Sequence, residues 1–227
     1  MSATIDAGFV DLERWRTVEV TGADGLTWLD ALVTADLRGI AAGEARRSLL
    51  LSPTGAVLAS FTVLRTGERL LLLQDPAEPR RIGDLLARYV LSADVRLEEA
   101  GGPDGTGPDD RWRIEHGAPR VGTDIAEGDL PAEAGLDDLV SHEKGCFLGQ
   151  EAVAKVRNLG HPRRILLRLR SDAPVAPGDP VLLAEDEVGA VTSAASVGSG
   201  TIVFARVPWE ARSGELRTAA GDPFVLA

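Results

Sequence analysis

Apolar positions near the start of the chain recur at two different spacings. Val18-Glu19-Val20 alternates like a half-buried strand and runs into the turn Thr21-Gly22-Ala23-Asp24. Leu26, Leu29, Leu32 and Val33 then recur at helical spacing, and Asp24 stands where an N-cap would accept the first free amides. Apolar runs over 45–51, 57–64 and 70–74 predict three strands. Ser52-Pro53-Thr54-Gly55 joins the first two as a hairpin, and Arg65-Thr66-Gly67-Glu68 makes the next turn. Ile82, Leu85, Leu86 and Tyr89 restore the helical period, with Pro79 placed for a first helical turn.

The pattern breaks at 101–111, a glycine- and proline-rich stretch without an apolar side chain, which predicts a mobile, exposed linker. A short strand is expected over 111–115, then irregular chain, then a helix near 149–158 closed by Asn158 or Gly160. From Arg163 onward only strands are expected, over 165–169, 181–183, 188–193, 201–207 and 224–226. Short strands at this density fit a small barrel or sandwich. The chain therefore reads as α+β, with an α/β region over 1–162, its linker at 101–111, and a C-terminal β-barrel over 163–227.

Composition narrows the function classes. With 44% hydrophobic and 26% charged residues, the 227-residue chain has the balance of an ordinary globular protein. No apolar run reaches the ~18 residues of a membrane span. Met1-Ser2-Ala3-Thr4-Ile5-Asp6 lacks the basic flank and apolar core of a secretory signal, so a cytoplasmic protein without a membrane partner is expected. A single cysteine excludes an internal disulfide and a multi-thiolate metal site within one chain. The net charge of −11 repels nucleic acid on average, so no direct nucleic-acid partner is expected. One segment has the opposite sign. Residues 144–170 carry Lys144, Lys155, Arg157, Arg163, Arg164, Arg168 and Arg170 against Glu151 alone, and period-2 alternation puts Arg168 and Arg170 on one strand face. With Arg163 they form a candidate surface for an anionic ligand. The same stretch holds both lysines, the one cysteine, the one asparagine and one of two glutamines in the chain.

Chemistry therefore concentrates in His142-Glu143-Lys144-Gly145-Cys146-Phe147-Leu148-Gly149-Gln150-Glu151. Lys144 and the helix beyond could lower the pKa of Cys146, which is expected to be accessible. Gly145 and Gly149 allow tight turns and close approach of a ligand. Glu151 suits either a helix N-terminus or the N–H groups of a ligand. His142, His161 and His116 are candidate bases for the thiol, none at a spacing that settles the matter.

Lys144-Gly145-Cys146-Phe147-Leu148-Gly149-Gln150-Glu151 matches the K-G-C-[FY]-x-G-Q-E signature of the YgfZ family, folate-binding proteins linked to iron–sulfur enzymes and related to the glycine cleavage T-protein, an aminomethyltransferase. Val20-Thr21-Gly22-Ala23-Asp24, Leu51-Ser52-Pro53-Thr54-Gly55-Ala56-Val57 and Gly189-Ala190-Val191-Thr192-Ser193 resemble further elements of that family. The resemblance implies a T-protein-like fold with a C-terminal barrel and a tetrahydrofolate cofactor. It also implies a ligand site at Lys144, Gly145, Cys146, Gly149, Gln150 and Glu151, with Lys144 and Cys146 in the chemistry and no metal ligands. It implies a role in maintaining iron–sulfur enzymes as partners; the link of one member to tRNA thiolation reads as an indirect effect. The alternative is folate-dependent aminomethyl transfer. Two departures stand out. Only the 101–111 linker stands between the N-terminal module and Arg113-Ile114-Glu115-His116-Gly117, where family members have a longer segment, which implies a shortened central module. Asp75-Pro76-Ala77-Glu78-Pro79-Arg80-Arg81 lacks a convincing counterpart of the T-protein aspartate.

Overall fold

The computed structural model describes residues 5–6, 14–101 and 106–227, so residues 1–4, 7–13 and the centre of the linker, 102–105, lie outside it. Two compact units emerge, each discontinuous in sequence: residues 1–107 with 137–154, and residues 108–136 with 155–227.

The first unit is one antiparallel sheet with two short helices. In chain order it contains β1 (Ile5–Asp6), β2 (Arg16–Thr21), α1 (Gly25–Asp30), β3 (Glu44–Leu51), β4 (Val57–Thr66), β5 (Arg69–Gln74), α2 (Ile82–Ala87) and β6 (Arg96–Glu99). The strands lie in the order β1-β3-β4-β5-β2-β6. Alternation decides what each face buries. Val18, Val63 and Leu72 are register partners across β2, β5 and β4, and they join Val20, Phe61 and Leu70 on the face covered by Leu29 of α1 and by Ile82 and Leu86 of α2. The intervening residues Ala45, Leu64, Leu71 and Leu73 form a smaller cluster with Trp15 on the other face. A fully buried leucine of this kind contributes about 1.5–3 kcal/mol.

Both expected turns are present, with Gly55 and Gly67 in the left-handed region at φ 83° and 64°. Three local expectations are corrected. Helix α1 stops at Asp30, and Asp24 caps it only by position: its carboxylate accepts the amide of Asp94 at 2.8 Å instead. Gly22, at φ 108°, makes that junction possible, because a Cβ there would sit 2.0 Å from the carbonyl of Asp94. The Gly22-Ala23-Asp24 element therefore holds the turn ahead of β6. Pro79 lies outside α2, whose first amide, on Ile82, donates to the side chain of Gln74 at 2.9 Å.

The second unit holds α3 (Asp110–Glu115), then α4 (Gln150–Leu159), whose last residues belong to it. These are followed by β7 (Arg164–Ser171), β8 (Pro180–Leu183), β9 (Asp186–Val197), β10 (Gly200–Pro208), β11 (Leu216–Arg217) and β12 (Val225–Leu226). The sheet order is β11-β8-β9-β10-β7-β12. Phe224 donates its amide to the carbonyl of Leu216 at 2.8 Å, which draws the two outer strands together and nearly closes a barrel. Leu167, Leu169, Val181, Val191, Val203 and Val207 fill its interior. Leu166, Ile202 and Phe204 face outward under Ile114 of α3.

The strand expected over 111–115 is thus a helix. Asp109 caps it by accepting the amide of Trp112 at 2.7 Å, and Arg113 and Ile114 occupy its buried side. The described C-terminal part of the linker is anchored. Gly107 and Pro108 are buried, and Gly107 exchanges hydrogen bonds with Arg14, giving its amide to the Arg14 carbonyl at 3.0 Å and accepting from the guanidinium at 2.9 Å.

A buried ion pair ties α3 to the loop that carries Asp124, and through that carboxylate to β9. The side chains of Arg113 and Asp124 are 1% and 0% exposed, and Arg113 Nη1 donates to Asp124 Oδ2 at 2.7 Å. Asp124 Oδ1 accepts the hydroxyls of Thr192 and Ser193, both at 2.6 Å, while its Oδ2 also takes the amide of Arg120 at 2.9 Å. Two motifs distant in sequence, at Arg113 and at Thr192-Ser193, thus meet on one carboxylate. Removing one partner of such a pair strands the other charge in the interior. Asp124→Ala is therefore expected to lower the unfolding free energy by about 3–5 kcal/mol. Thr192→Val should lower it by about 1 kcal/mol. Urea denaturation of the two variants beside the wild type measures both.

Candidate functional site

The motif singled out in the sequence lies on the loop 141–149 of the first unit and on the start of α4. The loop follows a 3-10 turn, Asp137–Leu139, and is fixed at several points. Ser141 donates its amide to the carbonyl of Thr34 at 2.9 Å. Phe147 is buried, and Leu148 packs against the core under the sheet. Gly149, at φ 81°, lies so close to the β3–β4 hairpin that a Cβ would stand 2.4 Å from the carbonyl of Ser52. The two segments that resemble family elements, 51–57 and 144–151, are therefore in direct contact. Between the anchors, His142, Glu143, Gly145 and Cys146 are exposed.

Lys144 points the other way. Its side chain is 0% exposed. The ammonium reaches the carbonyl of Asp30 at 2.5 Å, that of Ala35 at 2.7 Å, that of Val33 at 3.0 Å, and the Asp30 carboxylate at 3.0 Å. Four oxygens surround three hydrogens, which leaves none for Cys146. Burial pushes the Lys144 pKa down, and Asp30 opposes the shift. The expected electrostatic assistance from Lys144 to the thiol is replaced by a structural role, in which the ammonium satisfies the open carbonyls after α1. Cys146 itself is exposed, as expected.

The remaining candidates separate in the same way. Gln150 is half-buried and Glu151 exposed in the first turn of α4, where a carboxylate suits the helix end. Among the described residues neither side chain has a hydrogen-bond partner. His142 lies 3.9 Å from Asp137. His116 and His161 belong to the second unit, where they stack on Trp112 at 4.3 Å and on Trp209 at 5.3 Å. Of the basic island, Arg164, Arg168 and Arg170 share the outward face of β7. Arg168 is committed to the carbonyls of Ala227 and Glu115, with bonds of 2.7 to 2.9 Å. Lys155, Arg157, Arg163, Arg164 and Arg170 are exposed.

Sequence reasoning missed Asp30, the carboxylate partner of Lys144, and Gln74. The Gln74 amide donates to Glu78 at 2.9 Å and to the Arg80 carbonyl at 2.8 Å, and its oxygen accepts from Arg16 at 3.1 Å. Asp75 and Glu78 are buried in this loop, Asp75 accepting the amide of Ala77 at 2.9 Å. Both acids after β5 are thus engaged in holding the loop. Among the described residues no group of three His, Cys, Asp or Glu side chains gathers as a metal site would require.

Two measurements probe this region. Gly149→Ala combines a left-handed backbone with a steric conflict and should destabilise the first unit by more than the roughly 1–2 kcal/mol of the backbone effect alone; thermal unfolding reads it. Beside the Lys144 anchor, the Arg38 guanidinium bonded to Asp36 holds that carboxyl at about 2, against an ordinary value of 3.8, with burial opposing. A depressed folded pKa gives stability above the ordinary value that is lost as pH falls toward 2. Asp36→Asn should therefore flatten the acid-stability profile between those two values.

No protein-family model matches the chain. In sequence it is similar to the aminomethyltransferase of Streptomyces avermitilis, 30% identical over 199 residues, which are 82% of this chain and 49% of that protein. The aminomethyltransferase of Moorella thermoacetica is 39% identical over 92 residues, 40% of this chain and 25% of that protein. The chain thus spans half or less of the length of these curated relatives. Among solved structures, the glycine cleavage system aminomethyltransferase T of Bartonella henselae aligns with a TM-score of 0.77 and 17% identity, over 95% of this chain and 83% of that one. The chain has the T-protein fold, and its sequence similarity runs to aminomethyltransferases.

Proposed function

We propose that this protein binds a reduced folate of the tetrahydrofolate type and acts in folate-dependent one-carbon transfer of the aminomethyl kind. The observation that carries the reading is the T-protein fold over 95% of the chain, combined with similarity to aminomethyltransferases over 82% of it. When bound, the folate would supply the one-carbon carrier. The motif offers groups suited to it: Gly145 has open space where a side chain would stand, and Gln150 and Glu151 present uncommitted amide and carboxylate groups. Glu151 would accept N–H groups of the pterin, and Gln150 would complete the donor–acceptor pattern. Lys144 and Gly149 would act from beneath, by fixing the loop.

Exposure of Cys146 favours a second reading, an accessory protein for iron–sulfur enzymes that uses folate and a reactive thiol. A cluster held there would need thiolates from a partner. Calorimetry with tetrahydrofolate, together with a turnover assay using an aminomethyl donor, separates the two. Binding with turnover supports transfer. Binding without turnover favours the accessory role, and absence of binding overturns both. Glu151→Ala is expected to weaken folate binding about tenfold or more, the scale of one hydrogen bond to a charged group.

A further inference from the structure

We propose that residues 30–37 form a cation cradle whose built-in occupant is the Lys144 ammonium, and that Asp30, acting through Lys144, is a positioning residue for the exposed crest Gly145-Cys146. The inference deepens the proposed folate site and rests on that reading only for its ligand.

The segment between α1 and β3 has little regular structure of its own. It leans on β3 through Thr34, whose amide donates to Leu49 O at 3.0 Å and whose hydroxyl accepts the Leu49 amide at 3.0 Å, and through Ala35, whose amide donates to Ser48 Oγ at 3.0 Å. This leaves the carbonyls of Asp30, Val33 and Ala35 converging on one point. Converging carbonyl dipoles in a buried place repel one another unless a cation or donor sits among them. Asp30 adds the compensating charge, and its Oδ1 also accepts the amide of Leu37 at 2.7 Å, which closes the segment into a loop around the ammonium. The arrangement of three carbonyl oxygens and one carboxylate is that of a site for a small monovalent cation with N–H donors. Here the cation is tethered to the motif two residues before Cys146. Ser141 is bonded to Thr34 in the same segment, and Phe147 and Gly149 hold the far side, so the crest is clamped at both ends.

A lysine that touched ligand directly would act independently of Asp30; a clamp would not. The test compares Lys144→Ala, Asp30→Asn and the double variant, with far-UV circular dichroism as the check on folding. Cys146 is the one cysteine of the chain, so alkylation by a neutral reagent reports on the crest alone. Both single variants should change its rate about threefold or more, in the same direction, as the crest loses its fixed setting around the exposed thiol, and the double variant should add nothing to Lys144→Ala, the non-additivity of one coupled unit. n-Propylammonium replaces the atoms that Lys144→Ala removes. It should return that variant toward the wild-type rate, whereas tetramethylammonium, which has no N–H, should not. Asp30→Asn keeps the ammonium on its three carbonyls and remains testable should Lys144→Ala fail to fold. Tetrahydrofolate affinity, where the wild type binds it, should fall in parallel in both variants. A wild-type protein that does not bind folate defeats the ligand reading, while the alkylation and rescue results still decide the clamp. An unchanged rate in Asp30→Asn, additive single effects, or absence of rescue by n-propylammonium would overturn the proposal.

Discussion

A charged lysine sealed inside the first unit is the constraint on which its architecture depends. An ammonium with no access to water must be surrounded by oxygen atoms, and the chain supplies them by ending α1 at Asp30 and turning three carbonyls inward. The irregular path from Asp30 to Leu37 follows from that requirement, as does the seating of the motif loop against it. The second unit solves a related problem with Arg113, whose guanidinium meets the Asp124 carboxylate in a site equally closed to solvent. In each unit a buried cation connects segments that hydrophobic packing alone would leave loosely placed.

This arrangement explains what the sequence could disclose. Strands β3, β4, β5, β7 and β10 were legible because alternation and continuous apolar runs are local signals, and the hairpin at Ser52–Gly55 because its turn chemistry is local too. Residues 111–115 misled because three charged side chains hide a short helix whose buried members are Arg113 and Ile114. Strands β6 and β11 were not expected, since Arg96–Glu99 and Leu216–Arg217 owe their conformation to a neighbouring strand.

Of the candidate site, the segment that gathers rare residue types could be picked out in the sequence, and the orientation of its side chains could not. Rare residue types and a recognisable motif marked 144–151, yet Lys144 and Cys146, two residues apart, face opposite surroundings. The partner that decides the role of Lys144 lies 114 positions earlier. Asp124 shows the same effect across 68 and 69 positions toward Thr192 and Ser193. Spacing along a chain cannot reveal such partners, because the fold that brings them together is set by the packing of whole sheets.

The near-closure of the second sheet has a further consequence. Its outer strands β11 and β12 are only two residues long each, and the bond from Phe224 to Leu216 draws them toward one another. A sheet closed in this way offers an incoming strand almost no continuous row of free backbone groups to extend. Strand-by-strand growth into polymers is thereby discouraged by two minimal strands and one hydrogen bond, and lengthening either strand by design would reopen that route.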